Sequence, residues 1–356
     1  MHPTHMLIFL AGLFASAGFS SSCSCSNRLD RPTVGAIRWD AWFDDRINPY
    51  EKNLVDVRWR NRLPFYAKVV SDNQVQVHGD TQEAVDREIA YAKAGGIDYW
   101  AFLYYPATIR DDGFNHDYMN RARRLYLSSK RKKDLNFCLI VTPGGHADRN
   151  NPDKEINEWL RMLKEPTYQR VAGGRPLIYV MVWGPTVEKM FGSARKGREY
   201  VDDLRERIRR TGEKNPYIVV LAMTPQGGAA ALDAMKLDAI GAYTSFGGSD
   251  YQGLRAAQEA NWEAMKATGK KVVPNLSAGW GGPRDGLGDA KQPKPDELAG
   301  HVRSAFAWIG ANKETAEAKT MLIYAWNEVD EGGWLVPDMG QGTAKLDAIR
   351  RVVDGR

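Results

Sequence analysis

Two glutamates close to the end of the chain have the residue type and spacing for acid–base chemistry. The apolar run Met321–Ala325 leads directly into Trp326-Asn-Glu-Val-Asp-Glu-Gly-Gly-Trp334, which carries Glu328 and Glu331 three residues apart. A bend after a strand would turn both side chains toward one cavity. Two carboxylates that flank a sugar bond are the minimum for glycoside hydrolysis, because one protonates the leaving oxygen and the other acts as base or nucleophile. Such closeness also pushes their pKa values apart.

Aromatic residues support this interpretation over a structural one, in which a glutamate pairs with an arginine or caps backbone amides. Six of the 11 tryptophans lie near the ends of predicted strands. Flat rings placed there are typical platforms for the apolar C–H faces of sugars, although packing beneath a neighbouring loop is the alternative for each ring. With polar residues at the same strand ends, the predicted substrate-binding set is Trp39, Asp40, Trp42, Tyr105, Trp183, Trp280, Arg284, Asn327 and Trp334.

Eight apolar, β-rich runs alternate with amphipathic helical patterns, and these elements must position the candidate residues. Nearly continuous apolar runs are typical of parallel strands buried on both faces. Strands are predicted at Val34–Trp39, Ile97–Tyr104, Asn136–Thr142, Pro176–Trp183, Tyr217–Met223, Ala239–Thr244, Lys271–Leu276 and Thr320–Trp326. Helices are predicted at Thr81–Ala94, Asp117–Ser128, from Asn151-Pro152 onward, and at Arg198–Arg210, Gly228–Met235, Leu254–Ala267, Pro295–Ala311 and Ala344–Val353.

This alternation predicts an α/β fold, a (β/α)8 TIM barrel in a single domain, with the active site on the loops that follow the strands. The segment Asp44–Gly79 is the largest insertion and is expected to cover one side of the barrel mouth. The alternative is an open doubly wound sheet, but no Gly-x-Gly-x-x-Gly follows the first strand. The predicted strand ends therefore define where the chemistry is expected.

Composition excludes several classes of protein. The 356 residues carry a net charge of +5, which is too mild and too evenly spread to indicate a nucleic-acid partner. Only one long apolar run is present, so a polytopic membrane protein is excluded. The histidines form no His-x-x-x-His pair and have no cysteine partner, and no phosphate-binding loop is present. We therefore expect no metal and no cofactor.

The amino terminus has features of an export signal. Met6–Phe19 is apolar, too short to span a bilayer comfortably, and is followed by small residues around Cys23 and Cys25. Residues 1–25 are predicted to be a signal peptide and residues 26–356 the barrel, exported to the periplasm or cell surface. The cysteines also resemble a lipobox, which would attach the protein to a membrane through Cys23 or Cys25. Two features depart from the pattern: no lysine or arginine precedes the run, and serine replaces the usual upstream leucine.

Several segments resemble a known family. Tyr324-Ala-Trp-Asn-Glu-Val-Asp-Glu-Gly332 resembles the Tyr/Trp-Asn-Glu-Trp-His-Glu-Gly motif of family 99 glycoside hydrolases, the endo-α-mannosidase type, and of the related WbsX-like proteins. The segment 272–284, with Gly-Trp280 and Arg284, is similar to their Val-x-Pro…Gly-Trp/Tyr-Asp-x-x-x-Arg stretch. Residues 240–246 are similar to the strand that carries a functional tyrosine, and residues 35–42 and 94–102 fit the first two strands. The resemblance implies a (β/α)8 barrel and retaining hydrolysis of α-linked sugars.

The resemblance also implies roles for individual residues. Glu328 would remove the proton of the sugar's own 2-hydroxyl, which attacks the anomeric carbon to give an epoxide-like intermediate. Glu331 would protonate the leaving group and then activate water, and Tyr243 would lie near the anomeric centre. Three positions depart from the family: its Trp-His pair is Val329-Asp330, and its Asp after Gly-Trp is Gly281. We expect these departures to alter contacts with the substrate.

Two other functions fit the same sequence. One is a carbohydrate-binding lipoprotein that has lost catalysis, and the other is glycosyl transfer, as assigned to some WbsX-like proteins. Transfer would need an activated donor, and the sequence has no nucleotide-binding feature. For all three functions the expected partner is an oligo- or polysaccharide, and the protein is expected to be a monomer.

Overall fold

A computed structural model describes residues 31–44, 48–106, 115–143, 152–182, 187–284, 286 and 288–355. The predictions about the signal peptide, Cys23, Cys25 and Trp183 lie outside these residues. From Pro32 onward the chain forms one compact unit. No helix within the described ranges is both long and apolar enough to cross a membrane.

All eight predicted strands are present, and their ends differ from the predicted ends by a few residues. The strands are β1 (Thr33–Arg38), β2 (Ala67–Ser71), β3 (Gln74–Val77), β4 (Tyr99–Leu103), β5 (Asn136–Val141), β6 (Arg170–Val171), β7 (Arg175–Met181), β8 (Tyr217–Leu221), β9 (Ala239–Gly241), β10 (Lys271–Val272), β11 (Asn275–Ser277), β12 (Thr320–Tyr324), β13 (Asn327–Glu328) and β14 (Gly333–Trp334).

One sheet contains the strands predicted from the apolar runs. Its order is β10-β9-β8-β7-β5-β4-β1-β12-β11, every pair along this path is parallel, and β6 pairs with β7 in antiparallel fashion at the side. Successive strands of the chain are thus neighbours. Most strand residues are buried, as expected for strands covered on both faces.

The seventh predicted strand is divided into β10 and β11 by Val273 and Pro274. Proline has no N–H to donate, which interrupts the ladder on one side. The carbonyl of Pro274 still accepts from the N–H of Leu322 at 3.1 Å, and the N–H of Val273 donates to Ile240 at 2.9 Å. One short segment of chain therefore contacts both β9 and β12, the strands next to the two ends of the sheet order.

Helices cover the sheet where the apolar periodicity predicted them. They are α1 (Gln82–Ala94), α2 (Arg121–Ser128), α3 (Pro152–Leu163), α4 (Val187–Phe191), α5 (Ala194–Arg210), α6 (Pro225–Met235), α7 (Tyr251–Ala267), α8 (Pro295–Ala311) and α9 (Ala344–Val353). Their starts follow capping chemistry: Ser193 accepts from the N–H of Lys196 and begins α5 four residues before the predicted start. The predicted helix Asp117–Ser128 is a 3₁₀ turn (His116–Asn120) followed by α2.

The insertion consists of two 3₁₀ helices (Glu51–Leu54 and Val57–Arg62) and the antiparallel hairpin β2–β3. One of its contacts with the rest of the molecule is made by Arg62, a fully buried arginine. The Arg62 guanidinium donates to the carbonyls of Gly281 and Val329 at 3.3 and 3.1 Å and pairs with Asp289. The insertion is thereby attached to the two loops that carry Arg284 and the paired glutamates.

Candidate active site

The two glutamates lie on one tight hairpin directly after β12. Strands β13 and β14 pair in antiparallel fashion, and the N–H of Glu331 donates to the carbonyl of Glu328 at 3.2 Å. Gly332 completes the turn with φ of +91°, a backbone conformation that favours glycine. A Cβ atom at Gly332 would lie 2.1 Å from the carbonyl oxygen of Gly281, so the hairpin packs closely on its neighbouring loop. This geometry brings both carboxylates to the same place.

Both glutamates line an open cavity at the carboxyl ends of the strands. Arg284 follows β11, the neighbour of β12 in the sheet order, whereas Tyr243 follows β9, near the other end of that order. The lining residues are Trp39, Tyr50, Leu103, Tyr104, Tyr105, His116, Met119, Thr142, Met181, Tyr243, Arg284, Glu328 and Glu331. Both carboxylates and the guanidinium thus lie on loops that follow β12 and β11, which are neighbours at one end of the sheet order.

Glu328 occupies the drier environment of the two glutamates. It is 3% exposed, and the hydroxyl of Tyr243 donates a short hydrogen bond to its Oε1. Burial raises the pKa of Glu328 well above its usual value, and the charge of Glu331 raises it further. A carboxyl with a raised pKa holds a proton more readily and, once ionised, is a stronger base.

Glu331 lies in a polar, more open environment. The hydroxyl of Tyr324 donates to its Oε2 at 2.8 Å, and the guanidinium of Arg284 forms an ion pair with its Oε1. Burial lowers the pKa of Arg284, but the charges of Glu331 and Asp330 outweigh this effect and raise it. Tyr324 also interacts with Glu328, so Arg284 is the partner that distinguishes Glu331, and Tyr243 the one that distinguishes Glu328.

Aromatic and aliphatic side chains form the rest of the cavity wall. Trp39 donates from Nε1 to the hydroxyl of Tyr105 at 3.0 Å and packs edge-on against Tyr50 of the insertion, with ring centroids 4.8 Å apart. The ends of β4 and β7 contribute Leu103 and Met181, and Met119 lies beside them. The cavity thus combines polar and charged groups with apolar surface, as small-molecule sites do.

The cavity contains six of the predicted site residues. These are Glu328, Glu331, Tyr243, Trp39, Tyr105 and Arg284. Trp183 lies outside the described residues. Trp280 is not among the lining residues and packs edge-on against Phe246, with centroids 4.7 Å apart.

Four further predicted substrate-binding residues have their polar groups engaged within the protein. Asp40 pairs with Arg38 at 2.7 Å, and Asn327 accepts from the N–H of Trp39 at 2.9 Å. The indole of Trp42 donates to the carbonyl of Asn327 at 2.6 Å, and that of Trp334 donates to Asp338 at 2.7 Å. All four are buried and support the cavity from behind rather than line it.

The positions that depart from the family motif also lie behind the cavity. Val329 and Asp330 are fully buried, and Asp330 accepts from Asn53 of the insertion at 3.1 Å. Burial, followed by the charge of Glu331, raises the pKa of Asp330 to about 6. Gly281 donates its N–H to the carbonyl of Glu331 at 2.8 Å. None of these positions is among the residues that line the cavity, and their effect on substrate contacts stays a prediction.

Other lining residues fall outside the predicted set. Leu103, Thr142 and Met181 lie at or just beyond strand ends, so the rule that placed the site could have found them, but their types carry no chemical signal. Tyr324 lies within β12 and holds Glu331. Tyr50 belongs to the insertion, and no pattern in the sequence indicates that it reaches the cavity. Within the described ranges no group of three or more histidine, cysteine or acidic side chains could hold a metal ion.

Comparisons with known proteins find similarity at the level of structure. No family model matches the chain, and no curated protein sequence is similar to it. Two solved structures of a glycoside hydrolase family 99 endo-α-mannosidase from Bacteroides thetaiotaomicron superpose on it, one of them in complex with bis-tris-propane. The first covers 90% of this chain and 96% of its own, with a TM-score of 0.61 and 14% identity. The second covers 91% of this chain and 98% of its own, with a TM-score of 0.59 and 14% identity. The chain therefore shares the fold of this enzyme.

Proposed function

We propose that the protein is a retaining glycoside hydrolase that cleaves α-linked oligo- or polysaccharides. The observation that carries this proposal is the pair of glutamates on one hairpin, both facing a cavity with aromatic walls at the carboxyl ends of the strands. The fold shared with an endo-α-mannosidase supports it. The linkage, the retention of configuration and participation of the sugar's 2-hydroxyl come from the motif resemblance and form part of the proposal.

The proposal takes the role of each glutamate from the resemblance. In this proposal Glu328 accepts the proton of the sugar 2-hydroxyl, and its buried position strengthens it as a base once it is ionised. Tyr243, hydrogen-bonded to Glu328, lies next to the anomeric centre. Glu331 protonates the leaving oxygen, so its ion pair with Arg284 must break when substrate enters. Trp39 and Tyr105 supply apolar surface for the sugar rings.

The proposed architecture is a closed (β/α)8 barrel. Its support is the segment 271–277, which pairs with β9 through β10 and with β12 through β11. These pairings would join the two ends of the sheet order into a ring. In a ring of this kind the loops after all eight strands meet over one axis, where the cavity lies.

The test separates the two glutamates by the leaving group of the substrate. On glycans with sugar leaving groups, both Glu328→Gln and Glu331→Gln should lower kcat by about 10²–10⁴-fold. On aryl α-glycosides with dinitrophenol as the leaving group, Glu331→Gln should retain most of the rate of dinitrophenol release in the first turnover, because that group departs without a proton, and Glu328→Gln should not. Near-normal turnover by both variants would refute the proposal. A wild-type protein that binds glycans but releases no sugar would indicate the carbohydrate-binding alternative.

We also propose that the protein is exported to the periplasm or cell surface. The support is the apolar run and the small residues before Cys23 and Cys25. Mass spectrometry of the mature protein from its native host checks this: export predicts loss of about 22–25 residues. A diacylglyceryl mass on the first cysteine would indicate lipid attachment, and an intact amino terminus would contradict export.

A further inference from the structure

A buried cluster of charges lies behind the hairpin and has no part in the proposed chemistry. Glu88 of α1 accepts from the guanidinium of Arg38, at the end of β1, at 2.8 Å. Arg38 also pairs with Asp40 at 2.7 Å and lies over the ring of Trp100, 4.3 Å from its centroid. Glu88 and Arg38 are at most 1% exposed. Burying such groups is costly unless each is fully partnered, so this arrangement calls for a physical reason.

The second carboxylate oxygen of Glu88 connects this charge cluster to the hairpin, which explains why the cluster is buried here. Glu88 Oε1 accepts from the indole Nε1 of Trp326 at 2.8 Å, while Oε2 is held by Arg38. Trp326 is fully buried and does not line the cavity. It is separated from Glu328 by a single residue. The charged pair therefore fixes the orientation of the side chain from which the hairpin begins.

The backbone of Trp326 connects the hairpin to the barrel. Its N–H donates to the carbonyl of Ile37 in β1 at 2.6 Å. Its carbonyl accepts from the N–H groups of Leu335 and Val336, at 2.9 and 2.8 Å, where the chain leaves the hairpin. Both ends of the hairpin thus converge on one residue, and a shift of the whole residue would displace both ends together.

We propose that Glu88, clamped by Arg38, is a positioning residue that sets the place of Glu328 in the cavity through Trp326. This proposal rests on the function proposed above. Neither Glu88 nor Trp326 lines the cavity, so their effect is on the position of the catalytic carboxylate and not on substrate binding. Small displacements of reacting groups lower rates strongly, because catalysis depends on close alignment.

The test removes the hydrogen bond and keeps a smaller aromatic ring, and its control loses the same atoms. In Trp326→Phe we expect kcat on a cleaved glycan to fall by about 10–100-fold and KM to stay within about twofold. Hydrogen exchange of the amides of residues 327–334 should become at least about tenfold faster, because the hairpin loses its anchor. The matched control is Trp262→Phe: that indole is also buried and donates one hydrogen bond, to the carbonyl of Asn275 at 2.7 Å. It should affect thermal stability and leave kcat and the hairpin amides near wild type.

The conservative variant Glu88→Gln, which keeps an oxygen that can accept from Trp326, should retain more activity than Glu88→Leu. If Glu88→Leu fails to fold, the comparison of Trp326→Phe with Trp262→Phe still tests whether Trp326 positions the hairpin. Unchanged kcat and unchanged hairpin exchange in Trp326→Phe would overturn the positioning role, as would equal losses in the control. The exchange measurement needs no activity: faster hairpin exchange in a protein that cleaves no glycan would refute the proposed function and leave the positioning of the hairpin supported.

Discussion

At the scale of single residues, the two glutamates show how one turn can place similar groups in different environments. Glu328 is buried against the hydroxyl of Tyr243, and Glu331 meets Arg284 and the hydroxyl of Tyr324. The sequence predicted both glutamates, and also Tyr243 and Arg284, at one site. It could not predict that Tyr324 holds Glu331, because a tyrosine inside an apolar strand has the pattern of a core residue. Environment, rather than residue type, separates the two carboxylates.

The raised pKa of Glu328 has a consequence for stability. In the unfolded chain this carboxyl ionises near its usual pKa, whereas the folded protein keeps the proton to higher pH. The stabilisation that this carboxyl gives the folded state is therefore fully present below the pKa of the unfolded chain. It is lost as pH rises toward the raised pKa of the folded protein. Glu328→Gln removes the ionisation and leaves an amide oxygen that can accept from Tyr243. We expect it to raise Tm at pH 7 by a few degrees, at roughly 1.4 kcal/mol per unit of pKa difference.

Differential scanning fluorimetry at pH 7 and pH 4 checks this expectation. The gain in Tm should shrink at pH 4, where the wild-type carboxyl is protonated in both states. Glu331→Gln is the matched control, because it loses the ion pair to Arg284 and should bring no such gain. A Tm for Glu328→Gln at pH 7 equal to or below that of wild type would contradict the prediction.

At the scale of elements, the hairpin β13–β14 depends on the space around one glycine. Gly332→Ala would force a side chain into a left-handed conformation and against the carbonyl of Gly281. We expect the free energy of unfolding to fall by more than about 2 kcal/mol and kcat to fall at least about tenfold, because the turn carries both glutamates. Gly342→Ala is the control: its φ is +58° and no atom lies within 4 Å of a Cβ there. It should cost only about 1 kcal/mol. Urea unfolding and kcat of both variants provide the test, and equal losses would contradict it.

The elements also show where sequence patterns stop being informative. Apolar runs predicted every strand of the large sheet except the two-residue β6, because burial on both faces leaves a strong signal. The division of the seventh strand at Pro274 could have been anticipated from the missing N–H. The insertion could not be placed, since its attachment through Arg62 to the carbonyls of Gly281 and Val329 depends on contacts between residues more than 200 positions apart. Contacts between residues so far apart produce no periodic pattern in the amino-acid sequence.

At the scale of the whole molecule, the tryptophans separate into two groups that composition alone could not distinguish. Trp39 lines the cavity, whereas Trp42, Trp326 and Trp334 are buried behind it and donate their indole N–H groups to the protein. Position at a strand end predicted proximity to the site but not which way a ring faces. That direction is set by the acceptor that each indole finds.

The helical layer contains a buried histidine that couples the stability of the whole molecule to pH. His301 of α8 is fully buried, its Nδ1 lies 3.2 Å from the hydroxyl of Tyr251, and its ring stacks on Trp262. Burial, followed by the charge of Arg255, lowers its pKa from 6.5 to about 3. Between pH 6.5 and about pH 3, His301 therefore stays neutral in the folded protein, whereas it becomes protonated in the unfolded chain. This stabilising contribution is fully present above pH 6.5 and is lost as pH falls toward 3.

We therefore expect His301→Gln to be less stable than wild type at pH 7, where it loses the stacked ring, but to lose less stability on acidification. The difference in Tm between the two proteins should narrow steadily between pH 6.5 and pH 3, by several degrees, because each unit of pKa difference corresponds to about 1.4 kcal/mol. Other groups titrate in this range in both proteins, so the difference between the curves, rather than either curve, measures His301. Trp159→Phe, at a buried tryptophan of α3 that packs against Tyr104, controls for the loss of packing alone and should follow the wild-type slope. Parallel curves for His301→Gln and wild type would show that His301 accepts its proton without cost, and the buried neutral state would then be wrong.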